Sequence, residues 1–581
     1  MSSIALLVIG LSAFLTGYHL YSRYIATRIY KLDPDFRTPA HEFEDGVDFV
    51  PTNKHVLFGH HFTSVAGAAP IVGPAIAVIW GWLPAFLWVV LGTIFAGAVH
   101  DFGTLWVSTR HKANSIGSLA DSIIGGRARV LFLLIIFFLL LLVNAVFAVV
   151  IANLFIANPG AVFPVWGTLV VAVLVGFLIY RTRVGILWPS IGALLTLYVM
   201  IWFGQWLPFS LPDFFGFSPT AGQLALGAEQ AAQAAGTDGV RAGWVIILFI
   251  YGFFASVLPV WVLLQPRDYI NSHQLFVALG IIFLGIFLTN PPVIAPAINT
   301  SLPSDAPSWF PLLFVTIACG AISGFHGLVA SGTTSKQLSN EMDARYVGYG
   351  GALGEGIVAL TSILATTAGF AVFAGLDGWH QHYGTWAAAS SGATGAFVNG
   401  IGVLAEGVGI PHQVAVIFAA VVVISFAATT MDTGVRLQRY IITELGTQYR
   451  VPAAQNRWIA TFIAVASCAA LALGLDRGAG GMRLWALFGT TNQLTAGLSL
   501  LVITIFLLKK GRNVLVTVLP MAFLLFMTTW AMISNLIRYW TQSQALLLGV
   551  GGAIFVLELW LIFEATVAFR KAAGGLKEET A

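Results

Sequence analysis

Long apolar stretches separated by short polar breaks dominate this chain. The run 130–154, VLFLLIIFFLLLLVNAVFAVVIANL, carries no charge at all. Such runs are long enough to cross roughly 30 Å of hydrocarbon as helices. Sustained period-2 alternation is absent, which favours helices over the strands of a barrel. The pattern predicts an all-α polytopic membrane protein with about fifteen spans. They fall near 3–22, 59–80, 83–107, 130–154, 164–180, 184–204, 243–264, 274–290, 309–331, 351–375, 412–431, 458–475, 484–508, 513–537 and 545–568. One more stretch, 389–410, is apolar but Gly-rich and contains Glu406.

Loop charge orients the spans. With the N-terminus outside and the spans alternating, only Arg241, Arg477, Arg483 and Arg538 among the 28 lysines and arginines fall outside. The rest lie on the inner side, as the positive-inside rule requires. A crossing at 389–410 would invert every later loop, so this stretch is expected to be re-entrant or to lie on the surface. The tail is then cytoplasmic. The first run has no preceding basic region and no small-residue cleavage site, and reads as a retained helix. The longest polar pieces are 23–58, inside, and 205–242, outside, where GAEQAAQAAGTDG suggests a short surface helix.

Two spans carry helix-breaking residues. Ala66-Gly67-Ala68-Ala69-Pro70 lies in 59–80, and Ala255-Ser256-Val257-Leu258-Pro259 lies in 243–264. Proline removes a donor and clashes with the preceding turn, while small residues let a ligand approach the backbone. Five spans separate their starts, so the two cross in opposite directions, as in a five-plus-five inverted repeat. The expected organisation is 1–58 as N-terminal helix and linker, 59–204 as repeat one and 205–242 as outer loop. Repeat two would be 243–431, and 432–581 would hold four C-terminal helices and a short tail.

Composition sharpens this picture. Of 581 residues, 58% are hydrophobic and 9% charged, against about 25% charged in soluble proteins. A net charge of +3, spread along the chain, gives no basic block for nucleic acid. Cys319 and Cys468 both lie in apolar runs and read as packing residues. No cofactor motif, nucleophile–base pattern, HExxH or CxxC spacing occurs, so enzymatic activity is not expected and no cofactor is predicted.

Ionisable residues inside spans are functional candidates, because burying them is costly unless they are paired or wet. His60, His61, His100, Asp101, His326, Glu355 and Asp432 sit on the inner halves or ends of their spans and can lie at one depth. A histidine beside a carboxylate can exchange a proton near neutral pH. The alternative for each ring is an interhelical hydrogen bond, and Asp432 can simply pair with Arg436. If a metal binds, His60, His61, His100 and Asp101 are the candidate ligands. Ser331 and Thr334 offer hydroxyls for a sodium ion, or bend their helix. Thr490, Thr491, Asn492 and Gln493 read as interhelical glue. For substrate, the breaks nominate Ser64, Gly67, Ala68 and Ser256, with Tyr251 and Trp261 as an aromatic wall. A half-helix N-terminus at such a break favours a carboxylate.

GHHFTSVAGAAPIVGPAIA, AGAVHDFGTLWVSTRH, SGFHGLVASGTTSKQL, SFAATTMDTGVRLQRYIITELG and LFGTTNQLTAGLSLLVI resemble, in order, the stretches of the carbon starvation protein A (CstA) family. The resemblance implies an inner-membrane transporter of LeuT-type fold. It further implies uptake of peptides under nutrient limitation or, in close relatives, of pyruvate with protons. The expected function is secondary active uptake of a short peptide or small carboxylate by symport with a proton or sodium ion. The partners are then the substrate, the coupling cation and the lipid bilayer. The competing classes are a nutrient sensor and a passive channel. A sensor would need a sizeable cytoplasmic domain, and a channel would ignore gradients.

Overall fold

The computed structural model describes residues 2–46, 48–182, 185, 187–219, 223, 228–259 and 262–579. The fold is all-α. Among the described residues there is no β-strand, only two isolated bridges. Among the described residues, thirteen helices are long and apolar enough to cross a membrane, and a bent pair, Lys54–Val65 with Ala69–Trp80, adds a fourteenth. Residues 309–332 correspond to the remaining predicted span but are split into three short helices. Leu20, Leu174, Phe462 and Trp540 keep much of their surface exposed, which suits a lipid solvent.

The chain divides into two compact units. One comprises Met1–Leu139, Ile282–Gly400 and Ala486–Ala581; the other comprises Leu140–Ile281 and Ile401–Trp485.

In the first unit the bent pair behaves as the sequence predicts. Helix Lys54–Val65 stops at Ala66 (ψ 62°), and Ala69–Ala77 starts anew with Pro70 in its first turn, where a missing N–H costs nothing. Three residues, 66–68, join the halves at an angle of 49°. The second interrupted segment is 309–332. Its last break lies at Ile322 and Ser323, both extended, just before Gly324–Gly332. The two segments run antiparallel. Lys54–Val65 packs on Gly324–Gly332, while Ala69–Ala77 packs on Trp309–Thr316 and Ala318–Ala321. Glycine makes this approach possible: a Cβ on Gly73 would lie 2.3 Å from the Thr316 carbonyl oxygen, and one on Gly97 2.2 Å from that of Ala321. Gly73→Val is therefore expected to lower the yield of folded protein sharply, since overpacking against backbone costs about 1–3 kcal/mol or more. Gly192→Ala, where a Cβ meets nothing within 4 Å, is the control. Size-exclusion profiles of the two variants check this.

The second unit corrects the sequence reading of 243–264. That stretch is not an interrupted rod. Helix Ala228–Val257 runs unbroken for 30 residues, and the next helix begins only at Leu264. Ala255, Ser256 and Pro259 mark where a helix ends. The predicted surface helix in 205–242 is likewise the first part of this same long helix. Alanine and glutamine are strong helix formers, so nothing stops the helix where its apolar run begins. The first span is also longer than predicted, continuing from Ser3 to Tyr30 before Lys31 leaves the helix at φ 48°. Trp386–Glu406, within which the expected re-entrant stretch begins, is one continuous helix and does not qualify as a span by length and apolarity.

Candidate functional site

Four of the buried ionisable residues of the first unit form a line. Helix Ala98–Arg110 carries His100 and Asp101 and follows directly on wide π-type turns over Trp88–Gly97. Such turns break the regular hydrogen-bond ladder and often mark functional sites. Helix Gly324–Gly332 brings His326, and Gly350–Leu364 brings Glu355. The close approach of that last helical segment depends on Gly348, where a Cβ would lie 2.9 Å from the Phe102 Cα.

Asp101 sits between two imidazoles. Its Oδ1 is 2.7 Å from His100 Nδ1, and its Oδ2 is 2.8 Å from His326 Nδ1. The other ring nitrogen of His326, Nε2, stands 3.0 Å from Glu355 Oε2. All four side chains are buried. With each Nδ1–H donating to Asp101, the approach of His326 Nε2 to Glu355 Oε2, at ion-pair distance though not aligned as a hydrogen bond, is eased by one proton between the two groups. Either His326 is an imidazolium facing a carboxylate, or it is neutral and faces a carboxylic acid. Both ends of the line stop at polar atoms without a protein partner: His100 Nε2 at one, Glu355 Oε1 at the other. Buried polar atoms of this kind call for a partner from solvent or ligand.

Each Asp101 oxygen is spent on a different ring. The donor atoms thus face one another in sequence instead of converging on one centre. Among the described residues, no three His, Cys, Asp or Glu side chains are grouped to hold a metal ion.

His61 lies beside this line. Its Nδ1 is 2.9 Å from Thr334 Oγ1, and its ring fills the space over Gly351, one helical turn before Glu355. His61 Nε2, Thr63 Oγ1 and Ser64 Oγ, all buried, have no protein partner and precede the break that contains Gly67 and Ala68. His60 is only half-buried on the adjacent helical position. Ser331 is taken up by backbone: its Oγ donates to the Gly327 carbonyl at 2.7 Å and accepts from Ile116 N–H at 3.1 Å. Asn492 caps the second break. Its Oδ1 accepts from Phe325 N–H at 2.9 Å, and its Nδ2 donates to Ser323 Oγ at 3.0 Å.

Asp432 does not belong to this line. It lies in the second unit, where it contacts Arg267 Nη1 and accepts from Tyr251 Oη at 2.6 Å. The sequence pairing of Asp432 with Arg436 is therefore replaced. Arg436 instead donates to the carbonyls of Ala255 and Leu258, and Arg439 to that of Ser256, capping the end of helix Ala228–Val257. Tyr251 serves this ion network and does not stand as a free aromatic wall. Trp261 lies outside the described residues. Sequence reasoning treated Arg267 only as a loop charge. The signal that could have found it is its place in QPRDY, a charge pair beside a proline at the start of an apolar helix.

The model of the family described as "Carbon starvation protein CstA" matches residues 2–377 and 369–531. The chain belongs to the CstA family. A Campylobacter jejuni relative named peptide transporter CstA is 33% identical over 93% of this chain and 81% of its own length. The Escherichia coli pyruvate/proton symporter BtsT is 31% identical over 92% of this chain and 81% of its own. Among solved structures, the Eremococcus coleocola manganese transporter shares 14% identity at a TM-score of 0.43, covering 90% of this chain and 99% of that one. As a CstA-family member, the chain joins relatives that are named as transporters. Its all-α, multi-pass architecture is the one the sequence predicts.

Proposed function

We propose that this protein imports short peptides or small carboxylates such as pyruvate, with protons as the coupling ion. The carrying observation is the buried His100–Asp101–His326–Glu355 line. A proton shared between His326 and Glu355 changes the charge beside two interrupted helices without any side chain having to leave the interior. The pyruvate/proton symporter among the relatives supports this choice of ion over sodium. Substrate would bind at the first break, around Ser64, Gly67 and Ala68, with the N-terminus of Ala69–Ala77 facing its carboxylate.

The reading also moves the inverted repeat. The antiparallel, interrupted partner of 54–80 is 309–332, so the repeats become 54–204 and 309–509. Helices Ala228–Val257 and Leu264–Thr289 then lie between them. Six spans lie between the two interrupted segments, an even number, so the two cross in opposite directions, as inversion requires. The protein would sit in the inner membrane with its N-terminus outside and its C-terminus in the cytoplasm, as loop charge requires.

Uptake of labelled dipeptide and of pyruvate into proteoliposomes, under imposed pH or sodium gradients, tests the proposal. A pH gradient, inside alkaline, should drive accumulation of at least one substrate. Uptake indifferent to every gradient would mean a channel. His61→Ala should lower the initial rate about tenfold, because Thr334 loses its partner and the polar group beside the break goes. An unchanged rate would remove His61 from the site.

A further inference from the structure

Away from the relay, the first unit holds a cavity of about 260 Å³ at the ends of two spans. Arg110 closes the span Trp82–Arg110, and Phe506, Lys510 and Arg512 come from the end of Gly480–Lys509 and the turn after it. Gly511, at φ 62°, turns the chain so that the residues on both sides of it line the same space. The walls are aromatic. Arg110 lies 4.2 Å over the Phe36 ring, Arg512 5.4 Å over Trp106, and Lys510 5.8 Å over Phe506. His111 donates Nδ1–H to the Val107 carbonyl at 2.8 Å, which fixes its tautomer and leaves Nε2 for another partner.

The charges do not balance. Arg110 is held by both oxygens of buried Glu341, at 2.5 and 2.6 Å. Among the described residues, Arg512 has only backbone carbonyls, of Ile29 and Tyr30, as hydrogen-bond partners, and Lys510 forms no ion pair with a carboxylate. Burial first, and then the neighbouring Arg110, push the Arg512 guanidinium below its usual range. The cavity walls thus carry three basic side chains and an imidazole, and Glu341, which pairs with Arg110, is not among the lining residues.

We propose that this cavity binds the phosphate group of an anionic ligand at the membrane surface, with Lys510 and Arg512 as its direct contacts. A guanidinium offers phosphate a fork of donors, and a lysine adds a point charge. Basic pockets between spans at headgroup level suit anionic lipids, and a soluble phosphate ester carries the same chemistry.

The test uses the full chain in neutral detergent, with binding followed by intact-complex mass spectrometry. The probes are phosphatidylglycerol, phosphatidylcholine and glycerol 3-phosphate. Wild type should hold phosphatidylglycerol or glycerol 3-phosphate well above phosphatidylcholine, and which of the two it prefers identifies the source. The double variant K510Q/R512Q should weaken that binding about thirtyfold. Because Arg512 also ties down Tyr30, K510Q alone is measured as well and should weaken binding about fivefold, with K510R restoring it. Equal retention of all three probes by wild type, or an unchanged affinity in K510Q, would overturn the proposal.

Discussion

Asp101→Asn is expected to cut proton-driven uptake by about two to three powers of ten while substrate exchange across the same membrane persists. The carboxylate accepts from two imidazoles, at 2.7 and 2.8 Å. An amide offers one acceptor and one donor, so one Nδ1–H then faces an N–H. Leaving a buried charge without its counterion costs roughly 3–5 kcal/mol, and each 1.4 kcal/mol is about tenfold. That penalty falls on the imidazolium form of His326, one of the two forms in which the proposed proton can be held, and Glu355 offsets only part of it. Exchange of bound for free substrate needs no net proton transfer and should survive. Initial rates under a fixed pH gradient, set beside counterflow without one, separate the two. If both fall together, Asp101 is structural; if neither falls, the relay plays no part in coupling.

The second large effect is on stability. Arg267→Met should destabilise the protein by roughly 3–5 kcal/mol, because Asp432 is left as an unpaired buried charge. Arg267 and Asp432 have side-chain exposures of 3% and 0%, so water cannot take over the missing role. The thermal midpoint in detergent should drop by several degrees. Adding Asp432→Leu should restore most of the loss, since an apolar pair of similar volume avoids the desolvation cost. The double-mutant cycle reads the coupling directly. Additive losses would mean that the two residues act independently.

Much of the fold was legible because lipid enforces a simple code. Every predicted span has a helical counterpart, and run length with charge sufficed to find it. Breaks were harder. The first was readable from Ala66-Gly67-Ala68 followed by Pro70. The second was misplaced because Pro259 is also a breaker, but one that follows a helix end. The true break, at Ile322 and Ser323, carries no proline or glycine of its own. β-branching and a hydroxyl make it only mildly unfavourable to a helix, and Asn492, far along the chain, supplies the cap that stabilises it.

The candidate site shows the same division. His100, Asp101, His326 and Glu355 were nominated because charge is rare in hydrocarbon, and the structure brings these four together. Which of the nominated residues touch each other depended on tertiary packing. Ser331 was drawn to backbone, His60 to a half-buried position and Asp432 to Arg267. No local pattern encodes those choices.

The glycine seam between the interrupted helices has a mechanical meaning. At Gly73 the Thr316 carbonyl oxygen occupies the space that a Cβ would fill, and close-packed interiors transmit strain at such a contact instead of absorbing it. Backbone against backbone, with no flexible side chain between, the pair resists sliding. On the transport reading proposed above, the pair would travel as a single piece, carrying with it the His100–Asp101–His326–Glu355 line on its flank. Opening to either side of the membrane would then come from hinges at the borders of that piece.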